Sequence, residues 1–189
     1  MRPPCEGKKT GMSVEKFKLK DKHHWKCKPG YSICVLDRGL VRFDYPSTWK
    51  LEIQEGAVML HDREASIESC DLGVSLFPIP AEAIADLSMD EMLLSSLPKE
   101  RETYQQSEIH HVQRDDLELV WLEQRYVDEG QKRDARLRVA IARGPVVCLI
   151  SMNYWSSRAA GLERVWDEVL HTLVLGMQIA DPTVGPVVH

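Results

Sequence analysis

The sequence predicts an α+β fold, in which an antiparallel six- or seven-stranded sheet carries a long C-terminal helix packed on one face. Three long segments between Leu117 and Trp155 alternate apolar and polar residues and are joined by tight turns, which indicates a meander. Residues 157–175 place apolar side chains at helical spacing, so this helix is expected to seal the sheet. A short capped helix separates the meander from an earlier group of strands.

The earlier strands show the two-residue period of half-buried β-structure. Residues 31–36 and 41–45 alternate in this way, and Pro46 ends the second strand because proline cannot donate to the sheet ladder. Further strands are predicted at 49–53, 58–60 and 73–79, with a turn at Glu55-Gly56.

Both predicted helices have recognisable ends. Ser88 and Glu91 form a capping box, in which the hydroxyl and the carboxylate each accept a hydrogen bond from a free backbone N–H. Pro98 stops this first helix, and Gly176 is placed just past the second, where a left-handed residue is expected. The apolar stripe of the second helix comprises Leu162, Val165, Trp166, Val169, Leu170 and Leu173.

Length and composition predict one domain with tails. The 189 residues carry a net charge of −5, which argues against nucleic-acid binding. We expect a flexible basic arm over 1–28, a single domain over 29–176 and a tail over 177–189.

The cysteines and the apolar runs predict the cellular compartment of the protein. An odd count of five cysteines with irregular spacing, and a start without an apolar leader, predict free thiols in a reducing cytoplasm. Val146 to Ile150 is far shorter than the roughly 18 residues of a membrane span, so no membrane insertion is expected. Cys148 in that run is predicted to be a core residue, and Cys70 is predicted to be more exposed, on a turn.

Three features resemble the PsbP/DcrB-like superfamily, which also includes a Ran-binding nuclear-import factor. They are the strand Val-Arg-Phe-Asp-Tyr-Pro-Ser-Thr-Trp over 41–49, the meander over 117–155 and the terminal helix closing at 169–176. The likeness covers residues 33–176. It implies an α+β domain with a non-enzymatic binding or assembly function, and it carries no functional motif from which binding residues could be transferred.

The nearest approach to a cluster of metal ligands lies in and just after the arm. His23, His24, Cys27 and Cys34 offer the imidazole and thiolate ligands that zinc prefers, but their spacing matches no zinc-finger pattern. Adjacent histidines also point oppositely on an extended chain. We therefore expect neither a metal nor a cofactor. No Gly-rich phosphate loop, Gly-x-Ser-x-Gly or His-Glu-x-x-His motif is present, so an enzyme is not expected.

Two groups of residues are candidates for binding a protein partner. Trp25 and Lys26 lie in the arm, where the tryptophan either anchors a partner or folds back on the domain. Arg125, Arg136 and Arg138 are expected on one outer face of the sheet with Glu123, either as cross-strand ion pairs or as a docking surface for an acidic partner.

The predicted function is that of a non-enzymatic protein-interaction module, such as an assembly factor, a secretion chaperone or an immunity-type protein. The alternative is a small-ligand carrier or a diverged enzyme that uses the concave face of the sheet.

Overall fold

The computed structural model describes residues 18–54, 57–64, 68–77, 79–99, 103–177 and 179–186, and the elements below lie in these ranges. The predicted turn at 55–56 and the first 17 residues of the arm lie outside them. In chain order the strands and helices are β1 (Tyr31–Leu36), β2 (Val41–Pro46), β3 (Lys50–Gln54), β4 (Ala57–His61), β5 (Asp71–Phe77), α1 (Ala81–Ile84), α2 (Met89–Ser95), β6 (Thr103–Gln106), β7 (His110–Gln113), β8 (Glu118–Asp128), β9 (Arg133–Arg143), β10 (Val147–Trp155), α3 (Ala159–Thr172) and β11 (Val174–Leu175).

Two antiparallel sheets form the fold. The larger has eight strands in the order β3-β4-β5-β10-β9-β8-β6, with β7 also paired to β8. The smaller has three strands in the order β1-β2-β11. The α+β class, the antiparallel pairing and the C-terminal helix are confirmed. The strand count differs from the prediction because β6 and β7 share one edge, while β1 and β2 leave the main sheet and pair with the strand that follows α3.

The side of the large sheet that faces α3, called here the α3 side, carries the larger core. Trp166 of α3 is fully buried there with Phe43 of β2 and Ile150 of β10. The predicted helical stripe therefore packs as expected. The burial of large apolar side chains is the main favourable contribution to the free energy of folding.

The opposite side, called here the α2 side, has a smaller core over β8 and β9. Leu93 of α2 is fully buried against Leu122 of β8 and Ile141 of β9. Ser88 caps α2 as predicted, since its Oγ accepts a hydrogen bond from Glu91 N at 3.3 Å. Helix α2 is short, so it covers only this part of the sheet.

The end of α3 differs from the prediction. The chain leaves α3 at Leu173 into β11, and Gly176 follows that strand with φ of 70°. A Cβ at Gly176 would lie 2.6 Å from Pro145 Cγ, so both conformation and space require glycine. The last carbonyls of α3 are instead bound by arginines: Arg114 donates to Leu173 O at 2.7 Å, and Arg42 donates to Thr172 O at 2.8 Å.

Candidate functional site

A cleft of about 190 Å³ opens on the α2 side of the large sheet, at the end of the sheet farthest from α2. The pairing of β9 with β8 and β10 determines which side chains form its floor. Ala135 on β9 pairs with Trp155 on β10 and with Tyr126 on β8, so a single methyl group lies between two aromatic rings. The cleft is also lined by Ser69, Asp71, Asp128 and Asn153.

Neighbouring strands bring the polar groups of the cleft together. Asp71 on β5 pairs directly with Asn153 on β10. Tyr126 reaches across the small Ala135, and its OH lies 2.6 Å from Asn153 Oδ1. This hydrogen bond fixes both side chains, so the cleft is largely formed before any ligand arrives.

Asp71 also organises the rim of the cleft. Its Oδ1 accepts a hydrogen bond from Ser69 Oγ at 2.8 Å and lies 2.7 Å from His61 Nδ1. The same residue types occur in nucleophilic triads, but the arrangement differs. The serine here bonds to the carboxylate, while His61 Nε2 lies 3.6 Å from Glu52 Oε2 and has no hydrogen-bond partner among the described residues. Because Ser69 and His61 both bond to Asp71 and not to each other, this histidine is not placed to activate the serine as a nucleophile. The arrangement is suited to binding.

The carboxylates of the cleft are poor in cationic partners. Asp71 contacts the hydroxyl of Ser69 and the imidazole of His61, and Asp128 accepts a hydrogen bond from Gln131 N. Neither forms an ion pair with a lysine or arginine in the part of the chain that the structure describes. Arg133 lies opposite Asp128 in the ladder, but it pairs with Glu68 at 2.5 Å instead. Its guanidinium also covers the ring of Trp155, at 4.4 Å from the centroid.

The cleft continues into a half-exposed surface, called here the open strip. On β10, Leu149, Ser151 and Asn153 are half-buried, whereas the alternating residues on the α3 side are buried. Met59 on β4 and Ser75 on β5 are half-buried on the same side. The open strip is therefore defined as Met59, Ser75, Leu149, Ser151 and Asn153, which α1 and α2 leave uncovered.

The predicted arginine cluster exists, but it lies on the α3 side rather than on an outer face. Glu123 Oε2 accepts from Arg138 Nε at 2.8 Å, and Glu123 Oε1 accepts from Arg125 Nε at 3.0 Å and from Arg136 Nη1 at 3.4 Å. Glu163 of α3 closes the cluster from above by accepting from Arg136 at 2.9 Å. The expectation of an outer face is wrong because α3 covers this end of the sheet.

The arginines of the cluster stabilise the ionised form of Glu123. Burial opposes ionisation of Glu123, but the hydrogen bonds from Arg138 and Arg125 outweigh it and hold the pKa of that carboxyl below its usual value. Arg138 is 8% exposed, and its guanidinium lies 5.4 Å from the centroid of Trp121. The structure thus favours the first alternative, cross-strand ion pairing, and leaves Arg125 as the most exposed of the three arginines.

Trp25 packs within the chain, although the contacts seen are with the predicted tail rather than with the domain. It is 9% exposed, its Nε1 donates to Pro182 O at 2.8 Å, and its ring lies against Gly185. Backbone hydrogen bonds, including His24 N to Val184 O at 2.7 Å, join the described part of the predicted arm to the predicted tail. Lys26 stays exposed at this junction.

The four candidate metal ligands of the sequence are not gathered into a site among the described residues. Cys34 is buried, and burial raises the pKa of its thiol to about 12, whereas Cys27 is exposed. No group of three or more potential metal ligands occurs among the described residues. Cys70 is fully buried, so the expectation that it is exposed is wrong: its N–H donates to Asp62 Oδ1 at 2.9 Å, which holds the turn inward. Burial also raises the pKa of the Cys70 thiol.

The cleft residues were not predicted, although one signal for them is present. Ser151 and Asn153 interrupt an apolar strand at every second position, which is the pattern of a strand with one uncovered face. Asp128 ends β8 beside the Glu129-Gly130 turn, and an acidic residue at a turn is ordinarily solvated, so its position gives no signal of a cleft. Nothing in the spacing indicates that Asp71 and Tyr126, which are 55 positions apart along the chain, line the same cleft.

Among the described residues, no helix has the length and apolar character needed to cross a membrane.

Comparison with known proteins identifies a sequence family. A family model described as Alr1449 matches residues 32–179. An uncharacterized protein, alr1449, from Nostoc sp. strain PCC 7120 is 33% identical over 174 residues, which cover 90% of this chain and 91% of that protein. This relative spans nearly the whole chain but carries no functional description.

Solved structures of similar fold come from several bacteria. A protein from Bacteroides thetaiotaomicron matches with a TM-score of 0.56 and 15% identity, over 77% of this chain and 48% of that one. This chain therefore spans about half the length of that protein. The cyanobacterial PsbP (CyanoP) of Synechocystis sp. PCC 6803 matches with a TM-score of 0.47 and 15% identity, over 80% of this chain and 98% of that one. At these identities the likeness concerns the fold alone.

Proposed function

We propose that this chain, which belongs to the Alr1449 family, is a non-enzymatic protein-interaction module whose partner contacts the open strip. The observation that carries the proposal is the burial pattern of β10. Every residue on its α3 side is buried, whereas Leu149, Ser151 and Asn153 on its α2 side are half-exposed. A central strand that is left half-open in this way offers a preformed surface to another chain.

The chemistry of the open strip suits a segment of a protein. Met59 and Leu149 supply apolar contact, and Ser75 and Ser151 supply short hydrogen-bonding groups between them. Methionine adapts its shape readily, which favours contact with side chains of a partner. The strip then ends at the acidic cleft, so a matching segment would carry apolar residues followed by a basic one.

The other predicted partner-binding residues contribute unequally to this proposal. Lys26 and Arg125 remain exposed enough to contact a partner. Trp25, Arg136 and Arg138 are held by internal contacts, so a partner would have to displace these contacts to reach them. We therefore place the principal contact on the open strip. Arg125 belongs to the α3 side of the sheet, and Lys26 O is bound by Arg42 beside the end of α3, so these two residues lie away from the strip and would take part only through a separate contact.

The test compares two tagged variants in the native cell. Ser151→Arg puts a long cation in the middle of the open strip, and Ala160→Arg puts the same side chain on the exposed surface of α3. We expect Ser151→Arg to lower the amount of co-purified partner at least tenfold, measured by quantitative mass spectrometry, and Ala160→Arg to leave it unchanged. Equal capture by the wild type and both variants would contradict the proposal.

A small-ligand carrier is the second candidate function, and the cleft is the observation that favours it. The hydrogen bond between Tyr126 and Asn153 preforms a concave site with aromatic walls and a few polar groups. A free metabolite that saturates the cleft, together with partner capture that Ser151→Arg does not alter, would favour the carrier.

We also propose that the family is a branch of the PsbP/DcrB-like superfamily and that the protein works in the cytoplasm without nucleic acid. The entry strand with Tyr45-Pro46, the meander and the terminal helix occur in the predicted order, which supports the relationship. The four described cysteines are free thiols, which supports a reducing compartment. The net charge of −5 supports a partner other than nucleic acid.

A further inference from the structure

We propose that the cleft binds the ammonium group of a lysine side chain of the protein partner. This inference rests on the proposed function, because it names the group that enters the acidic end of the open strip. The site combines two carboxylates, from Asp71 and Asp128, with the rings of Tyr126 and Trp155 and the amide of Asn153. A cation that approaches between aromatic rings and carboxylates gains from both kinds of group.

The first argument is that neither aspartate of the cleft forms an ion pair with a lysine or an arginine among the described residues. Elsewhere in the described chain, acidic side chains in partly buried positions pair with arginine: Glu123 with three arginines, Glu118 with Arg143, and Asp62 with Arg158. Asp71 and Asp128 form no such pair among the described residues, although both line a cleft. Two acidic side chains that line the same cleft give it a negative charge, which attracts a cation from another molecule.

The position of Arg133 is the second argument. Its guanidinium already lies over Trp155, with its charge balanced by Glu68 at the rim. The Trp155 ring that borders the cleft therefore already contacts one cation. Because Arg133 pairs with Glu68, it does not neutralise Asp128, which lies opposite it in the ladder.

Size and access favour a slender side chain. A volume of about 190 Å³ accommodates the methylenes and ammonium of a lysine, and the cleft opens directly onto the strip where the rest of a segment would lie. The small floor at Ala135 and the rings of Tyr126 and Trp155 offer apolar contact to the methylenes. The Asn153 side chain, held by Tyr126, offers a further polar contact to the bound group.

The experiment is an NMR titration of the full chain with Nα-acetyl-lysine methylamide. The matched probe is Nα-acetyl-norleucine methylamide, which keeps the aliphatic chain and lacks the ammonium. We expect the lysine probe to shift the side-chain resonances of Asn153 and Trp155 saturably, and the norleucine probe to give at least tenfold weaker binding. No saturable shift, or equal binding of both probes, would overturn the inference.

Charge variants test which groups bind the ammonium. Asp128→Asn removes one charge from the cleft, and Asp167→Asn removes one charge from the exposed surface of α3. We expect Asp128→Asn to weaken the lysine probe about tenfold and Asp167→Asn to leave binding unchanged. Asp71→Asn serves as a second variant, and its fold is checked by the unchanged spectrum of residues on the α3 side. Equal binding by all three variants would assign the shifts to another site.

Combined outcomes of these experiments distinguish this inference from the proposed function, and a lysine of a partner from a free amine as the ligand. If Ser151→Arg abolishes partner capture while the lysine probe never binds, the interaction module stands and this inference fails. If n-butylamine binds at least as tightly as the lysine probe and Ser151→Arg leaves capture unchanged, the cleft serves a free amine and a partner lysine is excluded. Retained binding of the lysine probe over butylamine, with loss of capture in both Ser151→Arg and Asp128→Asn, supports the inference.

Discussion

On the α3 side of the large sheet, Glu123 is surrounded by three arginines and covered by a helix, whereas on the α2 side Asp71 contacts a histidine beside an open cleft. The two sides share the same strands. Glu123 and Gln124 are neighbours on β8, yet they face opposite layers because successive side chains of a strand alternate. The difference therefore arises from what packs on each side of the sheet.

The contrast separates groups that stabilise the fold from groups that remain available for binding. On the α3 side, α3 is long enough to bury Trp166 and to bring Glu163 over the arginines. On the α2 side, α2 spans only seven residues and leaves the open strip uncovered. Substitutions on the two sides should accordingly separate stability from partner binding.

The largest expected effect is the loss of Trp166, whose side chain is fully buried. Trp166→Ala should lower the free energy of unfolding by about 3–5 kcal/mol, measured by urea denaturation. Its indole Nε1 has no hydrogen-bond partner among the described residues, so Trp166→Phe should cost less than half as much. A loss below about 1 kcal/mol for Trp166→Ala would show that α3 does not seal this side.

The next largest effect concerns Glu123. Glu123→Ala leaves the buried guanidinium of Arg138 with only its longer contact to Glu163, at 3.3 Å. It should therefore cost about 3 kcal/mol of unfolding free energy. Asp128→Asn, the comparable change on the α2 side, should stay within about 0.5 kcal/mol because Asp128 pairs with no described cation. Similar losses for the two variants would remove the distinction between the sides.

Acid should lower the stability of the fold chiefly by protonating carboxylates that are paired with arginine. Burial opposes ionisation of both Asp62 and Glu123, but hydrogen bonds from arginine hold the pKa of each below its usual value. A group with a lowered folded pKa stabilises the protein above its unfolded pKa, and that contribution is lost as pH falls through the folded pKa. We therefore expect stability to decline below about pH 4, the ordinary carboxyl range.

The variant Glu123→Gln isolates the part of this decline that comes from the cluster. It removes one titrating group while keeping the side-chain shape, so the loss of stability between neutral and acid pH should become smaller. Thermal unfolding followed across this pH range measures the effect. An unchanged pH dependence in Glu123→Gln would mean that the cluster contributes nothing to acid sensitivity.

The smallest stability effect is expected within the open strip. Ser151 is half-exposed, so Ser151→Ala should change the free energy of unfolding by no more than about 0.5 kcal/mol. Chemical denaturation of this variant beside the wild type measures the difference. A loss above about 2 kcal/mol would show that the strip contributes to the core rather than to an available surface.

Several elements could be predicted because their signals are local. The Ser88 cap requires one hydroxyl and one backbone N–H three residues away, and the α3 stripe requires only helical periodicity. The candidate site could not be predicted in this way. Asp71, Tyr126 and Asn153 meet through pairing between strands far apart in the chain, and such register depends on the whole sheet.

The sequence by itself determined the α+β class, the meander and the face of α3 that is buried, because side-chain periodicity is a property of consecutive residues. The tertiary structure alone decided that the Glu123 cluster lies beneath α3, that β1 and β2 form a separate sheet with β11, and that Trp25 packs against the tail. Alternation divides each strand into two faces, but it does not specify which element covers each face. That choice depends on the lengths and positions of the helices and tails that pack on the finished sheet.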